Sequence, residues 1–467
     1  MPLRNLVWLL AVPAVVLVGL AITYSAPAPD KEYKLVRQVV DVLAEVDANY
    51  VRELTDEDKQ KLVEDMIDGG LRQLDPHSEY LSADKLKQFE TASEGSFGGV
   101  GITLALDPKT NLLKVEFPMP GTPAYEAGVV AGDLIVKVGD TPTEGLRIDE
   151  ARKLITGELR TVVTLTLRRA GRAPTDFEVP LTRARIEVHP VGGVARRKDD
   201  PLRWEWFADP QAKIALVRLK ATFTEQTAKE LKAAVAEIEQ AGGRALVLDL
   251  RDNPGGLLNQ AIDVCDLFLT EGKIVGTKDR RESERTFTAH KDGTAFLPAA
   301  GNPRPMAVLV NRNSASASEI VAAALQDHHR AVVVGERTYG KGSVQKLLRI
   351  PHSDPPAAVK LTTETYWRPS GKNIHRYPNA KEADDWGVRP DPGLEVPTTE
   401  DERLRYALEM RKLDFVAGKP GAVGPNPPPP ATPAGADGKP LIDDSKPFDD
   451  RVLNKAVEAL KAKLAGG

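Results

Sequence analysis

The chain contains little cysteine and little excess charge of either sign. A single cysteine, Cys265, stands among its 467 residues, which excludes an intramolecular disulfide and a cysteine-based zinc site. Cys265 lies within an apolar run at 261–269, and this setting indicates a small buried hydrophobic side chain rather than a reactive thiol. The formal net charge of -4 provides none of the strongly basic character that is typical of nucleic-acid-binding domains.

The composition is otherwise that of a globular protein, with 41% hydrophobic and 28% charged residues. The length predicts about three domains. At the N-terminus, Arg4 precedes an apolar run at 6–22, and an alanine- and proline-rich stretch follows. This pattern is typical of a signal peptide or a membrane anchor. Ser25-Ala26 offers only a poor cleavage site, because Pro27 would directly follow the cut, so we expect an uncleaved anchor. Either an anchor or a signal peptide places the rest of the chain in the cell envelope, outside the cytoplasm.

The rest of the chain divides by its hydrophobic pattern into four segments. Residues 30–94 have helical periodicity, and residues 95–185 form a strand-rich module with a glycine-rich loop and one longer helix at 148–155. Residues 401–467 contain a helix, a proline-rich linker around 425–431 that we expect to be disordered, and an amphipathic helix at 451–464.

Residues 186–400 alternate strands with helices, which predicts an α/β fold with a largely parallel sheet. The predicted strands lie at 214–219, 245–250, 306–310 and 331–334, and the predicted helices lie at 224–240, 257–269 and 316–327.

A serine-rich segment at 313–319 connects the predicted strand at 306–310 to the predicted helix that follows it. Such a corner exposes a side chain beside helix N-terminal amides, which suits a nucleophile whose intermediate carries an oxyanion. Ser316 is the candidate nucleophile. The alternative is helix capping, since Ser-x-x-Glu is a capping pattern, and spacing alone favours capping.

A serine nucleophile needs a base, and none of the seven histidines lies in a matching motif. Lys341 lies in a glycine-containing segment at 338–345, just after the strand at 331–334. If adjacent parallel strands carry both loops, Ser316 and Lys341 meet at the carboxyl edge of the sheet. A buried lysine with a lowered pKa can act as a general base, and Gln345 can orient its amine.

Several segments, in this order along 33–392, resemble motifs of the carboxyl-terminal processing peptidases, a serine peptidase family that includes the tail-specific protease. The segments are 75–78, 95–102, 248–256, 313–319, 338–345 and 386–391. The resemblance implies that Ser316, Lys341 and Gln345 are catalytic. It also implies an oxyanion hole formed by the amides of Ala317 and of Gly255 or Gly256. Asp252 departs from the family pattern, which has a small or amide residue there.

The resemblance also implies a multidomain fold of mixed α/β and α+β class. A PDZ domain is expected at 95–185 and a peptidase core of the ClpP/crotonase-like type at 186–400. The implied activity is cleavage of proteins near their C-termini, without metal or cofactor, with the PDZ domain binding apolar C-terminal tails. The residues expected to bind the tail carboxylate are Phe97, Gly98, Gly99, Val100, Gly101 and Ile102.

Three other interpretations compete with this one. Residues 335–341 match most of a phosphate-binding loop, but Gly342 stands where magnesium requires Ser or Thr, and the following segment has a strand pattern. Ser82 and Lys85 match a Ser-x-x-Lys pattern whose companion motifs are absent, so Ser82 is better explained as a helix N-cap. The third alternative is an inactive PDZ scaffold that binds tails without cutting them; the joint presence of the three catalytic residue types favours the enzyme.

Overall fold

The computed structural model describes residues 31–107, 109–171, 176–290, 296, 303–419 and 447–466. The predicted membrane segment at 6–22 and the proline-rich segment at 425–431 lie outside these residues. The chain divides into two units, Met1–Tyr80 and Leu81–Gly467.

The first unit contains the helices α1 (Lys31–Asn49) and α2 (Asp56–Arg72). Thr55 begins α2 through a reciprocal capping box, because its hydroxyl accepts from the Asp58 amide and the Asp58 carboxylate accepts from the Thr55 amide, both at 3.1 Å. Among the residues that the structure describes, no helix is long and apolar enough to cross a membrane. A short strand, β1 (Glu79–Leu81), lies at the division between the units in the sequence.

The second unit begins with a strand-rich module. Its elements are α3 (Ala83–Glu94), β2 (Ser96–Gly99), β3 (Ile102–Leu106), β4 (Leu113–Pro118), α4 (Pro123–Glu126), β5 (Leu134–Val138), β6 (Thr141–Pro142), α5 (Ile148–Ile155), β7 (Val162–Arg168), β8 (Asp176–Thr182) and β9 (Ala184–Glu187). An antiparallel sheet has the strand order β3-β4-β5-β7-β8, β6 pairs with β5, and β2 pairs separately with β9. Burial alternates along β7, as expected for a strand with one face on the core of a strand-rich module.

The larger module follows. Its strands are β10 (Val191–Gly192), β11 (Ala195–Arg196), β12 (Trp204–Glu205), β13 (Phe207–Asp209), β14 (Ile214–Leu219), β15 (Ala245–Asp249), β16 (Lys273–Asp279), β17 (Glu284–Thr288), β18 (Met306–Val310), β19 (Val332–Gly335), β20 (Ser343–Arg349) and β21 (Ala358–Trp367). Its helices are α6 (Thr227–Gln240), α7 (Leu258–Asp266), α8 (Ala317–Asp327), α9 (Glu400–Asp414) and α10 (Arg451–Gly466).

The central sheet of this module has the order β10-β14-β15-β18-β19, with β13 also paired to β14. The pairs β14–β15, β15–β18 and β18–β19 are parallel, which confirms the predicted parallel sheet. Helices α6, α7 and α8 contribute to the apolar cluster on one face. Cys265 of α7 is fully buried there, and burial raises the pKa of its thiol, in agreement with a structural role.

The other face of the central sheet is covered by α10. Val452, Ala456 and Leu460 recur at four-residue spacing, are buried, and pack with Val247 and Leu309 of the sheet. The amphipathic pattern predicts this helix but assigns it to a separate C-terminal segment. The structure instead makes it part of the core, because the sheet has two apolar faces and both must be covered.

A second sheet contains β21, β16 and β17 in that order, with β20 paired to β21, and β20 is the one of these strands that the sequence pattern predicts. Its pairs are antiparallel. Strands β17 and β21 escape prediction because their burial barely alternates: β17 is mostly exposed, and β21 is half-buried along nearly its whole length.

Candidate active site

Ser316 lies at the corner between β18 and α8, where the sequence predicts a nucleophile. Its backbone has φ 55° and ψ -114°, a conformation that costs a non-glycine residue about 1–3 kcal/mol. The residue is only 7% exposed. An ordinary N-cap serine has an extended backbone with negative φ, so helix capping alone does not account for this strain. Strain that the surrounding structure maintains is typical of functional positions.

A buried carboxylate, Glu319, binds the two loops that carry the predicted catalytic residues. Its Oε2 accepts the backbone N–H of Ser316 and the backbone N–H of Lys341, each at 2.8 Å. Its Oε1 accepts the backbone N–H of Gly340 at 2.7 Å and the hydroxyl of Thr338 at 2.5 Å. Four donors therefore occupy the two carboxylate oxygens, and the amides of Ser316 and Lys341 both donate to Oε2.

Glu319 is fully buried, and this burial raises the pKa of its carboxyl to about 7, although the four hydrogen bonds oppose the increase. The sequence suggests only a capping role for this residue. The Ser-x-x-Glu spacing gives its contact with Ser316, but the contacts with the lysine loop join segments that are distant in sequence and have no local signal.

The lysine loop leaves the sheet at the same edge as the serine loop. Strands β18 and β19 are parallel neighbours, with Val310 opposite Gly335, so both loops emerge at carboxyl ends. The backbone N–H of Tyr339 donates to the Ser314 carbonyl at 3.0 Å and fastens one loop to the other. Lys341 is partly buried, and its backbone is held beside Ser316 by the shared carboxylate.

Gln345 lies on β20, four residues beyond Lys341. Its side-chain Nε2 donates to the Ser343 hydroxyl at 3.0 Å and to the Thr362 hydroxyl at 2.9 Å. These bonds fix the orientation of the amide group next to the lysine loop. The role of Gln345 in orienting the Lys341 amine stays a prediction.

Tyr366, which has no signal in the sequence, also reaches the site. It lies on β21, its backbone N–H donates to the Gly342 carbonyl at 2.7 Å, and its hydroxyl lies near the side chain of Ser316 and interacts with it. The residue is 4% exposed, and burial raises the pKa of its phenol. Tyr366 is therefore a neutral hydroxyl partner of the candidate nucleophile.

The glycine loop at 250–256 lies directly against the serine corner. A Cβ atom on Gly255 would stand 2.7 Å from the Ala317 amide nitrogen and 2.8 Å from Cβ of Ser316, so only glycine fits. The Gly255 N–H already donates to Asn253 Oδ1 at 2.9 Å. Gly256 has φ 148° and lies opposite Phe223 in an isolated β-bridge. The bridge is made by the Phe223 N–H, which donates to the Gly255 carbonyl, and by the Leu257 N–H, which donates to the Phe223 carbonyl, so it does not use the Gly256 amide.

Asn253 ties this loop to the central sheet and to α8. Its Nδ2 donates to the carbonyls of Leu219 and Ala221 at 2.6 and 2.7 Å. Its Oδ1 accepts the Ser318 hydroxyl at 2.9 Å, in addition to the Gly255 amide. The residue is buried with all these groups satisfied, which favours a rigid loop.

Asp252, where the sequence departs from the family pattern, has specific partners. Its Oδ1 accepts Nδ2 of Asn311 and of Asn313, both at 2.8 Å, and its backbone N–H donates to Asn311 Oδ1 at 3.0 Å. The carboxylate thus fastens the glycine loop to the serine loop, and the departure is accommodated by the two asparagines.

The predicted carboxylate-binding segment divides into a strand and a tight turn. Phe97, Gly98 and Gly99 belong to β2 and pair with β9, so they are not loop residues as predicted. Gly98 also has no room for a side chain, because a Cβ atom would stand 2.4 Å from the Gly157 carbonyl oxygen. The Gly157 N–H donates to the Gly98 carbonyl at 3.3 Å. The turn itself is formed by the next two residues.

In this turn, the carbonyls of Val100 and Gly101 point into the module. The first accepts the Ala124 N–H at 3.0 Å and the second accepts the Met119 N–H at 2.9 Å. Because a trans peptide directs its N–H opposite to its carbonyl, the amides of Gly101 and Ile102 point the other way. They lie at the start of β3, where a tail can add as a strand.

The competing motifs find ordinary explanations. The segment after the lysine loop is the strand β20 and not the helix that a phosphate-binding loop requires. Ser82 lies at the N-cap position of α3. Within the described residues, no group of three or more His, Cys, Asp or Glu side chains is arranged to hold a metal ion.

Residues 213–392 match the family model described as Peptidase family S41, and residues 115–169 match that of a PDZ domain. The chain is 37% identical over 372 residues to the carboxy-terminal-processing protease of Bartonella bacilliformis. The matched region covers 79% of this chain and 77% of that protein. It is 34% identical to the carboxyl-terminal-processing protease of Synechocystis sp., over 74% of each chain. The solved structure of a photosystem II D1 C-terminal processing protease is 28% identical and covers 81% of this chain and 92% of that one, with a TM-score of 0.41.

The fold, the serine corner, the two family models and the sequence relatives define a serine-type endopeptidase that carries a PDZ domain. The chain belongs to peptidase family S41, among the carboxy-terminal-processing proteases. The inactive-scaffold alternative is correspondingly disfavoured.

Proposed function

We propose that this chain hydrolyses peptide bonds near the C-termini of proteins, with Ser316 as nucleophile and Lys341 as general base. One observation carries the assignment: the amides of these two residues donate to the same buried oxygen of Glu319, each at 2.8 Å. The arrangement brings a strained serine and a partly buried lysine together at the carboxyl edge of a parallel sheet.

In the proposed reaction, the Ser316 hydroxyl oxygen attacks the scissile carbonyl carbon while its proton passes to the neutral amine of Lys341. The tetrahedral intermediate then expels the leaving amine, which receives that proton, and an acyl-enzyme remains. Water, deprotonated by the same lysine, releases the acyl group and regenerates the serine hydroxyl. Gln345 and Tyr366 hold the polar groups around this proton transfer in place.

The oxyanion needs two donors, and we assign them to the backbone amides of Gly256 and Ala317. Ala317 is the first residue of α8, so its N–H has no acceptor within the helix. Gly256 is preferred over Gly255 because the Gly255 amide already donates to Asn253.

The lysine role is tested by Lys341→Arg, since a guanidinium stays protonated and cannot accept the serine proton. We expect kcat/KM to fall by about 10³-fold. Lys346→Arg, on the neighbouring strand and paired with Glu364, is the matched control and should retain activity. A fully active Lys341→Arg enzyme would contradict the assignment.

The nucleophile and the cleavage position are tested together by mass spectrometry of a reporter protein with an apolar C-terminal tail. Trimming from the tail side by the wild-type protein, and none by Ser316→Ala, is the expected result. Tail binding by both proteins without any cutting would instead support the scaffold interpretation.

We further propose that the PDZ domain binds apolar C-terminal tails through the turn at Val100 and Gly101. The outward amides of Gly101 and Ile102 suit a terminal carboxylate. Amidating the C-terminus of a tail peptide should therefore weaken its binding, as measured by calorimetry. Equal affinities for the free and the amidated peptide would contradict carboxylate recognition.

We also propose that residues 6–22 anchor the chain to the membrane, with the peptidase in the cell envelope. The apolar run behind Arg4 supports this location. Membrane fractionation combined with N-terminal sequencing tests it: an intact N-terminus in the membrane fraction is expected, whereas a soluble chain that begins after residue 26 indicates a cleaved signal peptide.

A further inference from the structure

The glycine loop at 250–256, which contains Gly255 and Gly256, is also bound to groups outside the site through the side chain of Arg251. The guanidinium is buried and binds two carboxylates side by side. It donates to Asp249 through Nε at 3.0 Å and through one terminal nitrogen at 2.7 Å. It donates to Asp450 through both terminal nitrogens, each at 2.8 Å.

The second carboxylate comes from a distant part of the chain. Asp450 immediately precedes α10, and its Oδ1 also accepts the backbone N–H of Leu453 at 3.0 Å, so it caps that helix. Burial works to raise the pKa of Asp450, but the charge and hydrogen bonds of Arg251 hold it below its usual value. The side chains of Arg251 and Asp450 are only 6% and 14% exposed.

A third element closes over the same guanidinium. The ring of Tyr406 on α9 lies with its centroid 4.1 Å from the Arg251 guanidinium carbon, and its hydroxyl donates to Asp249 at 3.2 Å. The position of the Arg251 side chain therefore depends on contacts with helix α9, through Tyr406, and with the start of helix α10, through Asp450.

We propose that helix α10 sets the position of the oxyanion loop through the Asp450–Arg251 ion pair, which makes Asp450 a positioning residue for the peptidase reaction. This inference rests on the proposed function, because it assigns the loop its catalytic role. The backbone path from Arg251 to Gly256 is short, and just before it the Ser314 hydroxyl donates to the Leu250 carbonyl at 2.8 Å.

The pair matters for the reaction because oxyanion donors act only in the correct geometry. A displacement of about 1 Å can cost about 10²-fold in rate. Removing the Asp450 charge leaves the guanidinium to be drawn towards Asp249 alone, which displaces the loop at Arg251. Tail binding at the PDZ domain involves none of these groups and should not change.

The test variant is Asp450→Asn in the full chain. Asparagine keeps an acceptor oxygen for the cap of α10 but loses the negative charge that Arg251 requires. We expect kcat for the reporter peptide to fall at least about tenfold, with KM within about twofold of wild type. Affinity for a peptide aldehyde, which forms an oxyanion on Ser316, should fall in parallel, and product-peptide affinity should stay unchanged.

Two carboxylates provide matched controls. Asp449→Asn changes the adjacent residue, whose side chain contacts Asn454 and not Arg251. Asp209→Asn breaks a different contact of the same helix, the 2.6 Å ion pair with Lys461. Both controls should keep the wild-type kcat, so a general loosening of α10 is separated from the specific pair.

The outcomes separate this inference from the proposed function. If wild type cuts and Ser316→Ala does not, while Asp450→Asn has the wild-type kcat, the inference is wrong and the proposed function stands. Equal losses in Asp450→Asn and Asp209→Asn also overturn it. An inactive wild type contradicts the proposed function instead.

If Asp450→Asn proves unfolded by circular dichroism, Asp450→Glu replaces it. The longer carboxylate keeps the charge but displaces the guanidinium, so kcat must fall at unchanged KM. A wild-type kcat in that variant overturns the proposal.

Discussion

At the scale of single residues, the site depends on groups whose environments differ from those of ordinary surface side chains. Glu319 is a buried carboxylate with four donors and Gly255 is a backbone position with no room for a methyl group. Neither touches the scissile bond in the proposed reaction, yet each fixes the distance between groups that do. Both can be tested by substitutions that change one atom group at a time.

Gly255→Ala should lower kcat by about 10²-fold with little change in KM, because the new methyl group would crowd the Ala317 amide. Gly242→Ala is the matched control: Gly242 also has a positive φ, of 79°, but an added Cβ meets nothing within 4 Å. Both glycines have a positive φ, of 93° and 79°, so comparing the steady-state kinetics of the two variants isolates the steric effect. Equal kcat values in the two variants would remove the amide from the mechanism.

Glu319 should make the protein less stable as the pH rises. Its pKa is about 7 in the folded protein, against an ordinary value of 4.5, so the folded state binds the proton more tightly. The stability it contributes is complete below about pH 4.5 and is lost as the pH rises through 7. The wild-type free energy of unfolding, minus that of Glu319→Gln, should fall by about 3 kcal/mol between pH 5 and pH 8.

Urea unfolding at several pH values measures this difference. Glu336→Gln is a control with the opposite sign: burial opposes ionisation of Glu336, but Arg312 and other hydrogen bonds hold its pKa below the usual value. Its contribution is present above about pH 4.5 and is lost at lower pH. A pH-independent difference for Glu319→Gln would show that the buried carboxyl titrates normally.

At the scale of elements, α10 is the clearest case of a helix whose partner is distant in sequence. Leu460→Ala should reduce the free energy of unfolding by about 2–5 kcal/mol, because this fully buried side chain fills the interface with the central sheet. Lys463→Ala, at an exposed position of the same helix, should change it by no more than about 0.5 kcal/mol. Denaturant unfolding of both variants decides whether the helix is part of the cooperative core.

The sequence predicts the elements of the central sheet better than it predicts their contacts. The strands at 214–219 and 306–310 have the predicted bounds, because continuous apolar runs are typical of buried parallel strands. The helix predicted at 316–327 begins one residue later, since the strained Ser316 is not helical. Local sequence patterns therefore predict the strand, the turn and the helix that position the candidate nucleophile.

The parts that could not be predicted are contacts between distant segments. Tyr366 follows Ser316 by 50 positions and lies on a strand without alternating burial, so nothing local marks it. The four bonds of Glu319 and the pair between Arg251 and Asp450 arise only when loops from different strands meet. Resemblance to a family supplied the roles of Lys341 and Gln345, which residue spacing alone leaves open.

At the scale of the whole second unit, helix α9 and the residues after it connect the peptidase core to the PDZ domain. Asp414 forms an ion pair with Lys220 of the core at 2.8 Å. On the PDZ side, the Phe415 and Phe117 rings form an edge-to-face pair with centroids 6.2 Å apart, and the Ala131 N–H donates to the Ala417 carbonyl at 2.8 Å.

Phe415→Ala should loosen this connection, because it removes the ring that packs on the PDZ domain. Hydrogen exchange at the Ala131 amide should become faster, since that amide depends on the Ala417 carbonyl. The Gly132 amide, which donates to Val115 within the PDZ domain at 2.8 Å, should be unaffected and is the internal control. Unchanged exchange at both amides would mean that other contacts hold the segment.

The position of α10 along the chain also affects how the protein is made. The apolar face formed by Ile214, Val247 and Leu309 leaves the ribosome well before the helix that covers it. At about 5–20 residues per second, the stretch from β14 to the end of α10 takes roughly 13 to 50 seconds to synthesise. During this interval the growing polypeptide exposes an uncovered apolar surface. Chaperones bind surfaces of this kind, and such surfaces drive aggregation when chaperones are absent.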